Sequence, residues 1–165
     1  LESGNIASLD AIARLFIARG ESADAVPWLQ QRLERTPAGS ERAVIVLQLA
    51  DALLAAGKTD RAIQVLARAV AGAMAARGFA PYSGEDYPGL YAADLDTPGV
   101  FVDRHAPRQR VYMLRRPKVP VVIVETHQAL HAEEWARWQE HGTVAALAEA
   151  LAEAVDRAAE AGSGS

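Results

Sequence analysis

Three residues that could take part in chemistry lie close together in the sequence: Glu125, His127 and His131. A carboxylate can carry protons as a general acid or base. If a helix begins near Thr126, the two imidazoles share one face at a spacing that can hold a metal ion. Two histidines do not complete a tetrahedral site, so hydrogen-bonded structural histidines are the alternative interpretation.

The stretch before Glu125 must position this carboxylate. It contains four consecutive β-branched residues, Val121, Val122, Ile123 and Val124. Such a run without polar alternation is typical of a strand buried on both faces of a parallel sheet. Open α/β sheets bind ligands at the carboxyl ends of their strands, where Glu125 would then lie. The alternative is that Glu125 caps the following helix or pairs with an arginine.

A basic segment precedes this run. Residues 103–118 contain six basic residues and a single acidic one, Asp103. Because arginine recognises carboxylates and phosphates, we expect Arg115 and Arg116 to bind an anionic ligand such as a peptide carboxylate or a phosphate. A solvated face that balances the acidic helices fits the pattern equally well. We expect no nucleic-acid binding, since stacking aromatics do not alternate with the basic residues and the net charge is -4.

Residues 79–100 form a long predicted loop, because prolines and glycines replace the helical pattern there. Long ordered loops in compact domains are usually functional. The ring of Tyr87, next to the carboxylate of Asp86, could line a sugar or peptide groove. The alternative is that the tyrosines of this loop only pin it to the rest of the protein.

The composition is that of a globular protein. The 165 residues are 50% hydrophobic and 23% charged, which suits one domain or two small halves that share a core. The lack of cysteine excludes disulfides and thiolate zinc sites and leaves the cellular compartment open. We expect neither a membrane span nor a signal peptide, because no apolar run is long enough. Residues 162–165, Gly-Ser-Gly-Ser, are typical of a linker or tag.

Four helices are predicted between residues 8 and 77. The candidate N-caps are Ser8, Ser40 and Thr59. The glycines at positions where helices commonly end are Gly20, Gly57 and Gly78. Short breaks between the helices predict two helical hairpins.

The two hairpins repeat with a period of 37 residues. The aligned pairs include Leu9 with Val46, Ala13 with Ala50, Phe16 with Leu53, Gly20 with Gly57 and Ala25 with Ala62. With Pro37 closing the first unit, the pattern resembles the tetratricopeptide repeat over residues 8–70. The resemblance implies a concave groove that binds a protein or peptide. The alternative is that the hairpins only pack on each other and on the rest of the chain, since stable arrays usually need about three units.

The rest of the chain completes the predicted architecture. Short strands are expected at 100–102 and 111–114. A short helix is expected at 133–140, with Trp135 and Trp138 on one face as core residues. The apolar periodicity of residues 144–160 predicts a final helix that covers one face of the sheet.

The segment from Val111 to Trp135 resembles the C-terminal portion of zinc-dependent N-acetylmuramoyl-L-alanine amidases of the amidase-3 type. The matching features, in the family's order, are Leu114-Arg115, Pro120 to Glu125, Glu133 or Glu134, and the closing helix at 144–160. The resemblance implies that Glu125 is the catalytic glutamate, which activates a zinc-bound water for attack on the amide bond. It also implies zinc as cofactor, peptidoglycan or muropeptide as substrate, and the cell envelope or periplasm as location.

The zinc ligands of that family are not found in the sequence, and Thr126-His127 replaces its usual Gly-Phe. Either the chain lacks the metal half of such an enzyme, or it is a non-catalytic binding module on an amidase-like scaffold. A third alternative is that His127 and His131 serve as new zinc ligands, which requires a third ligand and supporting groups.

We therefore expect an α/β protein with a small, mainly parallel sheet around residues 119–124. Helices 60–77 and 144–160 flank this sheet, and tetratricopeptide-like hairpins precede it. The expected domains are a helical region at 1–59, an amidase-like α/β region at 60–161 and the terminal linker. The expected function is that of a cell-wall amidase, and the alternative is a non-catalytic protein-interaction module built on the helical repeats.

Overall fold

The computed structural model describes residues 5–37, 40–82, 89–106, 108–117, 121–126 and 131–162, with the backbone alone for Ser40 and 155–162. Its elements in chain order are α1 (Ile6–Ala18), α2 (Ser22–Arg35), α3 (Ser40–Ala55), α4 (Thr59–Ala76), β1 (Tyr91–Ala93), β2 (Phe101–Asp103), α5 (Tyr112–Arg115), α6 (Ala132–Trp138) and α7 (Thr143–Gly162). The chain divides into two compact units, residues 1–69 with 155–165, and residues 70–154.

The described part of the chain is mostly helical, so the expectation of an α/β protein with a parallel sheet is wrong. The sheet found there is the antiparallel pair β1 and β2, and residues 121–126 belong to neither a helix nor a strand. A β-branched run favours an extended backbone, but a strand also needs a neighbour with which to exchange hydrogen bonds. Within the described ranges, residues 121–126 have no such neighbour.

Other elements also differ from the sequence expectation. Residues 111–114, expected as a strand, lie mostly in the one-turn helix α5. Trp135, expected in the core, is 54% exposed. The helices expected at 60–77, 133–140 and 144–160 are confirmed within a few residues as α4, α6 and α7.

Glycines end the first helix of each hairpin in the same way. Gly20 after α1 has φ of 75° and Gly57 after α3 has φ of 71°. Glu21 N–H donates to the carbonyl oxygen of Phe16 at 2.9 Å, and Lys58 N–H makes the equivalent bond at 2.8 Å. This left-handed cap satisfies carbonyls that would otherwise lack partners, and glycine adopts it without a Cβ clash. The repeat is therefore present in the backbone as well as in the sequence.

Small residues let the helices of the first unit approach closely. Ala25 of α2 and Ala62 of α4 are fully buried, and Ala13 and Ala50 are almost fully buried. The buried cluster that contains them also includes Leu29, Leu49 and Leu53. Because an alanine side chain ends at Cβ, two helices can pack closely there while the leucines fill the remaining space.

A buried arginine links three helices of the first unit. Arg32 of α2 has a side chain that is only 8% exposed. Its guanidinium donates to Asp10 of α1, to Glu41 Oε1 of α3 at 3.1 Å and to Gln48 Oε1 of α3 at 3.4 Å. A buried charge is tolerated when partners of this kind replace its water shell. Arg32 therefore fixes the positions of α1 and α3 relative to α2.

A second arginine caps the end of α2. Arg42 of α3 donates to the carbonyl oxygens of Leu33 and of Thr36, the latter at 2.8 Å. Thr36 is buried, and its hydroxyl donates to the carbonyl oxygen of Arg32 at 2.8 Å. The last carbonyls of a helix have no partners within the helix, so these contacts replace water at the turn between the hairpins.

The second unit contains the two-stranded sheet. Tyr91 pairs with Asp103, Ala92 with Val102 and Ala93 with Phe101. The carboxylate of Asp94 accepts the backbone N–H groups of residues 96 and 97, both at 3.0 Å, and so shapes the connection between the strands. The sheet ends at Asp103, which brings this carboxylate to the start of the basic segment.

The helical part of the second unit is arranged around the end of α4. Arg137 of α6 donates to the carbonyl oxygens of Arg77, at 3.0 Å, and of Gly78. Its guanidinium also lies 4.2 Å from the centre of the Phe79 ring, which contacts Trp138. Arg77 in turn pairs with Glu153 of α7 at 2.6 Å.

In the described residues, no helix is both long and apolar enough to cross a membrane.

Two glycines should respond oppositely to alanine. Gly57→Ala should lower the free energy of unfolding by about 1–2 kcal/mol, because a side chain is strained at its positive φ although nothing lies within 4 Å of the added Cβ. Gly72→Ala, within α4 and equally free of contacts, should raise it by about 0.5–1 kcal/mol. Urea unfolding measures both variants. A loss of stability at Gly72 would contradict the helical geometry of α4.

The Arg32 network should show unequal contributions from its partners. Asp10→Ala should lower the free energy of unfolding by about 1.5–3 kcal/mol, because the buried guanidinium loses a charged partner. Glu41→Ala should cost less than about 1 kcal/mol, since the Glu41 side chain is 61% exposed. Arg14→Ala controls for the other partner of Asp10 and should have little effect. Equal losses for Asp10→Ala and Glu41→Ala in urea unfolding would refute this assignment.

Candidate functional site

Of the site residues predicted from the amidase resemblance and the long loop, the described part of the chain contains Glu125 and His131. Glu125 is exposed in the irregular segment 121–126 instead of following a strand. His131 is exposed at the residue before α6, and its side chain caps no backbone N–H of that helix. His127 and Tyr87 lie outside the described residues. Their roles, and that of Glu125, stay predictions.

Among the residues whose side chains are described, no group of three or more His, Cys, Asp or Glu is arranged to hold a metal ion. Zinc as a cofactor therefore also stays a prediction.

Arg115 and Arg116, expected to bind an anion, lie at the end of α5 and are both exposed. Their guanidinium carbons lie 6.0 Å and 5.7 Å from the centre of the Tyr112 ring, within the range of cation–π attraction. Arg115 Nη1 also donates to the carbonyl oxygen of Arg108 at 2.9 Å. The structure thus places two cations around one exposed aromatic ring.

Asp103 and His105 form a pair at the end of β2. The Asp103 carboxylate accepts the His105 backbone N–H at 2.8 Å and lies 2.6 Å from Nδ1 of the same residue. Because an ionised carboxylate only accepts hydrogen bonds, Nδ1 of His105 is the donor in this contact. Burial raises the pKa of Asp103, but the hydrogen bonds from His105 and the charges of His105 and Arg110 outweigh it and lower the pKa overall.

The lowered pKa of Asp103 makes its contribution to stability depend on pH. A group with a depressed pKa stabilises the folded state above its unfolded pKa of about 4, and this contribution is lost as the pH falls through the folded pKa. Asp103→Asn should therefore lower the free energy of unfolding by about 1 kcal/mol at neutral pH, with a smaller difference near pH 3. Urea unfolding at both pH values measures this.

Asp51→Asn is the control for this experiment, because Asp51 is exposed. Its effect should stay below about 0.5 kcal/mol at either pH. If the free energies of unfolding of wild type and Asp103→Asn differ as much near pH 3 as at neutral pH, the Asp103 carboxylate is not ionised in the pair.

The first helices of the two hairpins present a separate surface. We define the first-helix face as Asp10, Arg14 and Ile17 of α1 together with Leu47 and Asp51 of α3. Within each helix these residues are three, four or seven positions apart, so they share one side. Leu47 and Asp51 are the equivalents of Asp10 and Arg14 after one period of 37. All five are exposed or half-buried.

The first-helix face lies on well-packed helices. The other sides of α1 and α3 carry Leu9, Ala13, Leu49 and Leu53, which are all buried. Arg32 of α2 contacts Asp10 within the face and Gln48 beside it, and so bridges α1 and α3. Binding residues on a supported helix lose little conformational entropy when a partner docks.

The chemistry of the first-helix face is mixed. It offers the carboxylates of Asp10 and Asp51, the guanidinium of Arg14, and the apolar side chains of Leu47 and Ile17, the latter 39% exposed. Side chains of this kind can bind another polypeptide through ion pairs and apolar contacts.

Comparison with known proteins supports the helical repeat. A family model described as Tetratricopeptide repeat matches residues 8–43, which include most of α1, all of α2 and the start of α3. No curated protein and no solved structure matches the chain. The match lies in the first of the two hairpins that showed the repeat pattern in the sequence, so a tetratricopeptide-like repeat over residues 8–43 of a helical N-terminal region is confirmed. The comparisons do not support the amidase resemblance.

The sequence did not lead us to predict two features, the buried Arg32 network and the pair of Asp103 and His105. Arg32 is a charged residue in a helix of otherwise small and apolar buried residues, and its length and charge required partners on α1 and α3. Asp103 and His105, two residues apart after a strand, had the spacing of a local carboxylate–imidazole pair. Both signals are visible in the sequence once the neighbouring elements are known.

Proposed function

We propose that this chain is a protein-interaction module and that its helical hairpins bind a segment of another protein through the first-helix face. The observation that carries the proposal is the repeated hairpin, supported by the tetratricopeptide-repeat match over residues 8–43. A partner docks on side chains that such repeats present along one face of their helices, and no catalysed reaction is needed for this role. The residues needed for this role are therefore surface residues on a supported scaffold.

The packing of the first unit supports this proposal. Its interior is filled by small and branched apolar residues, while the first-helix face stays accessible on α1 and α3. A pair of carboxylates, Asp10 and Asp51, and a guanidinium, Arg14, give the face the means to select a charged segment. Asp10 is already engaged by Arg32 and Arg14, which leaves Asp51 as the more available carboxylate.

The amidase activity, peptidoglycan as partner and the cell-envelope location stay predictions from the sequence. The described residues favour none of them. We therefore propose the interaction module as the function, and this proposal predicts that the chain binds a partner without catalysing a reaction on it.

A random peptide library displayed on phage tests the proposal directly. Peptides enriched on the wild-type chain are synthesised, and their affinities are measured by isothermal titration calorimetry. The double variant Ile17→Ser/Asp51→Arg should weaken binding by about tenfold or more, because it removes an apolar contact and reverses a charge on the first-helix face.

The matched control is Leu15→Ser/Glu34→Arg, which makes the same chemical changes at exposed positions away from that face. Leu15 is two residues from Ile17 and so points to the other side of α1. This control should bind the peptides as the wild type does. If both double variants weaken binding equally, or if no peptide is enriched, the first-helix face is not the binding surface.

A further inference from the structure

Exposed apolar and cationic side chains meet on one turn of the second unit, outside the first-helix face. We define the Arg–Tyr patch as Val111, Tyr112, Met113, Arg115 and Arg116. Tyr112 is 63% exposed and Met113 is 62% exposed, and Val111 beside them is also exposed. Single exposed apolar residues are common on surfaces, but three in succession that adjoin two cations form a patch that indicates binding.

The cations of the patch are held in place but not neutralised. The Tyr112 ring lies within 6.0 Å of both guanidinium carbons, and Arg115 also donates to the carbonyl oxygen of Arg108. Across the described ranges, no carboxylate lies within ion-pair distance of Arg115 or Arg116. Asp103, the single acidic residue of the basic segment, is engaged with His105. The guanidinium groups therefore keep donors for an external anion.

We propose that the Arg–Tyr patch binds an acidic peptide segment, with carboxylates paired to Arg115 and Arg116 and an apolar side chain of the peptide against Tyr112 and Met113. The guanidinium fork matches a carboxylate in two parallel hydrogen bonds. Cation–π contact with Tyr112 limits the motion of both arginines before binding, so less entropy is lost on docking. This site is independent of the first-helix face.

The geometry favours a peptide over a membrane or a nucleic acid. A helix that lies on a lipid surface needs a long apolar face, whereas α5 has four residues. Nucleic acid is opposed by the net charge of -4 and by the single ring in the patch, since stacking platforms use successive aromatics. A short acidic segment needs only the two cations and the adjacent apolar surface.

Fluorescence anisotropy of two labelled peptides tests the proposal on the full chain. One peptide contains glutamates around a phenylalanine, and the other has glutamine at each glutamate position. The acidic peptide should bind, with affinity that falls as salt is raised, and the amide peptide should bind at least about tenfold more weakly. Equal binding of the two peptides would overturn the proposal, because carboxylate recognition would then be absent.

Variants locate the binding to the patch. Arg115→Gln/Arg116→Gln should weaken the acidic peptide by about tenfold or more, and Tyr112→Ser should also weaken it. The control Arg35→Gln/Arg61→Gln removes the same charge from exposed residues of α2 and α4 and should leave affinity unchanged. An equal loss in the control would overturn the proposal, since net charge alone would then explain the binding.

Competition distinguishes the other anions. Inorganic phosphate and vesicles that contain phosphatidylserine are each added to the peptide complex at fixed ionic strength. Displacement only by unlabelled acidic peptide supports the proposal. Displacement by phosphate or by vesicles at lower concentration than the unlabelled peptide would overturn it in favour of that ligand.

Circular dichroism verifies that each variant keeps its helices. The phage-derived peptides of the first-helix face should bind Arg115→Gln/Arg116→Gln as they bind the wild type.

Discussion

A buried positive charge constrains how the helices of the first unit are placed. The guanidinium of Arg32 has left water and must keep its acceptors on α1 and α3, so neither helix can rotate or slide without exposing the charge to an apolar interior. Apolar packing also opposes shifts, because a gap in a close-packed interior loses contacts, but it is not directional, whereas these hydrogen bonds require their acceptors at defined positions. Since Asp10 belongs both to this network and to the first-helix face, the stability of the hairpins and the shape of the binding surface depend on the same carboxylate.

Local rules predicted the helical part of the chain well. Glycine at positions 20, 57 and 78 marked helix ends because a positive φ is accessible to glycine, and all three have that conformation. The 37-residue period aligned Leu9 with Val46 and Ala13 with Ala50, and all four are buried, since equivalent residues of a repeat meet equivalent neighbours. The first N-cap was misplaced by three residues: Asn5 accepts the N–H of Ala7, whereas Ser8 lies within α1.

Pairing between distant segments could not be predicted in the same way. The run at 121–124 indicates an extended backbone, but its sequence does not specify a partner strand, and the amidase interpretation depended on that partner to place Glu125. The strand at 91–93 was hidden because prolines and glycines around it predict a loop. Arg115 and Arg116 were singled out by charge alone, and their common contact with Tyr112 follows from a helical turn where a strand was expected.

The contact between Arg137 and the end of α4 has a consequence for the order in which the chain folds. The carbonyl oxygens that Arg137 caps lie 59 and 60 residues before it in the sequence. The glycine caps after α1, α3 and α4, in contrast, use partners within five residues and can form as soon as each helix leaves the ribosome. Closing a long loop costs more entropy and slows folding. The helices of the two hairpins and their glycine caps are therefore expected to form during synthesis, while the packing of Arg137 against the end of α4 waits for α6 to emerge.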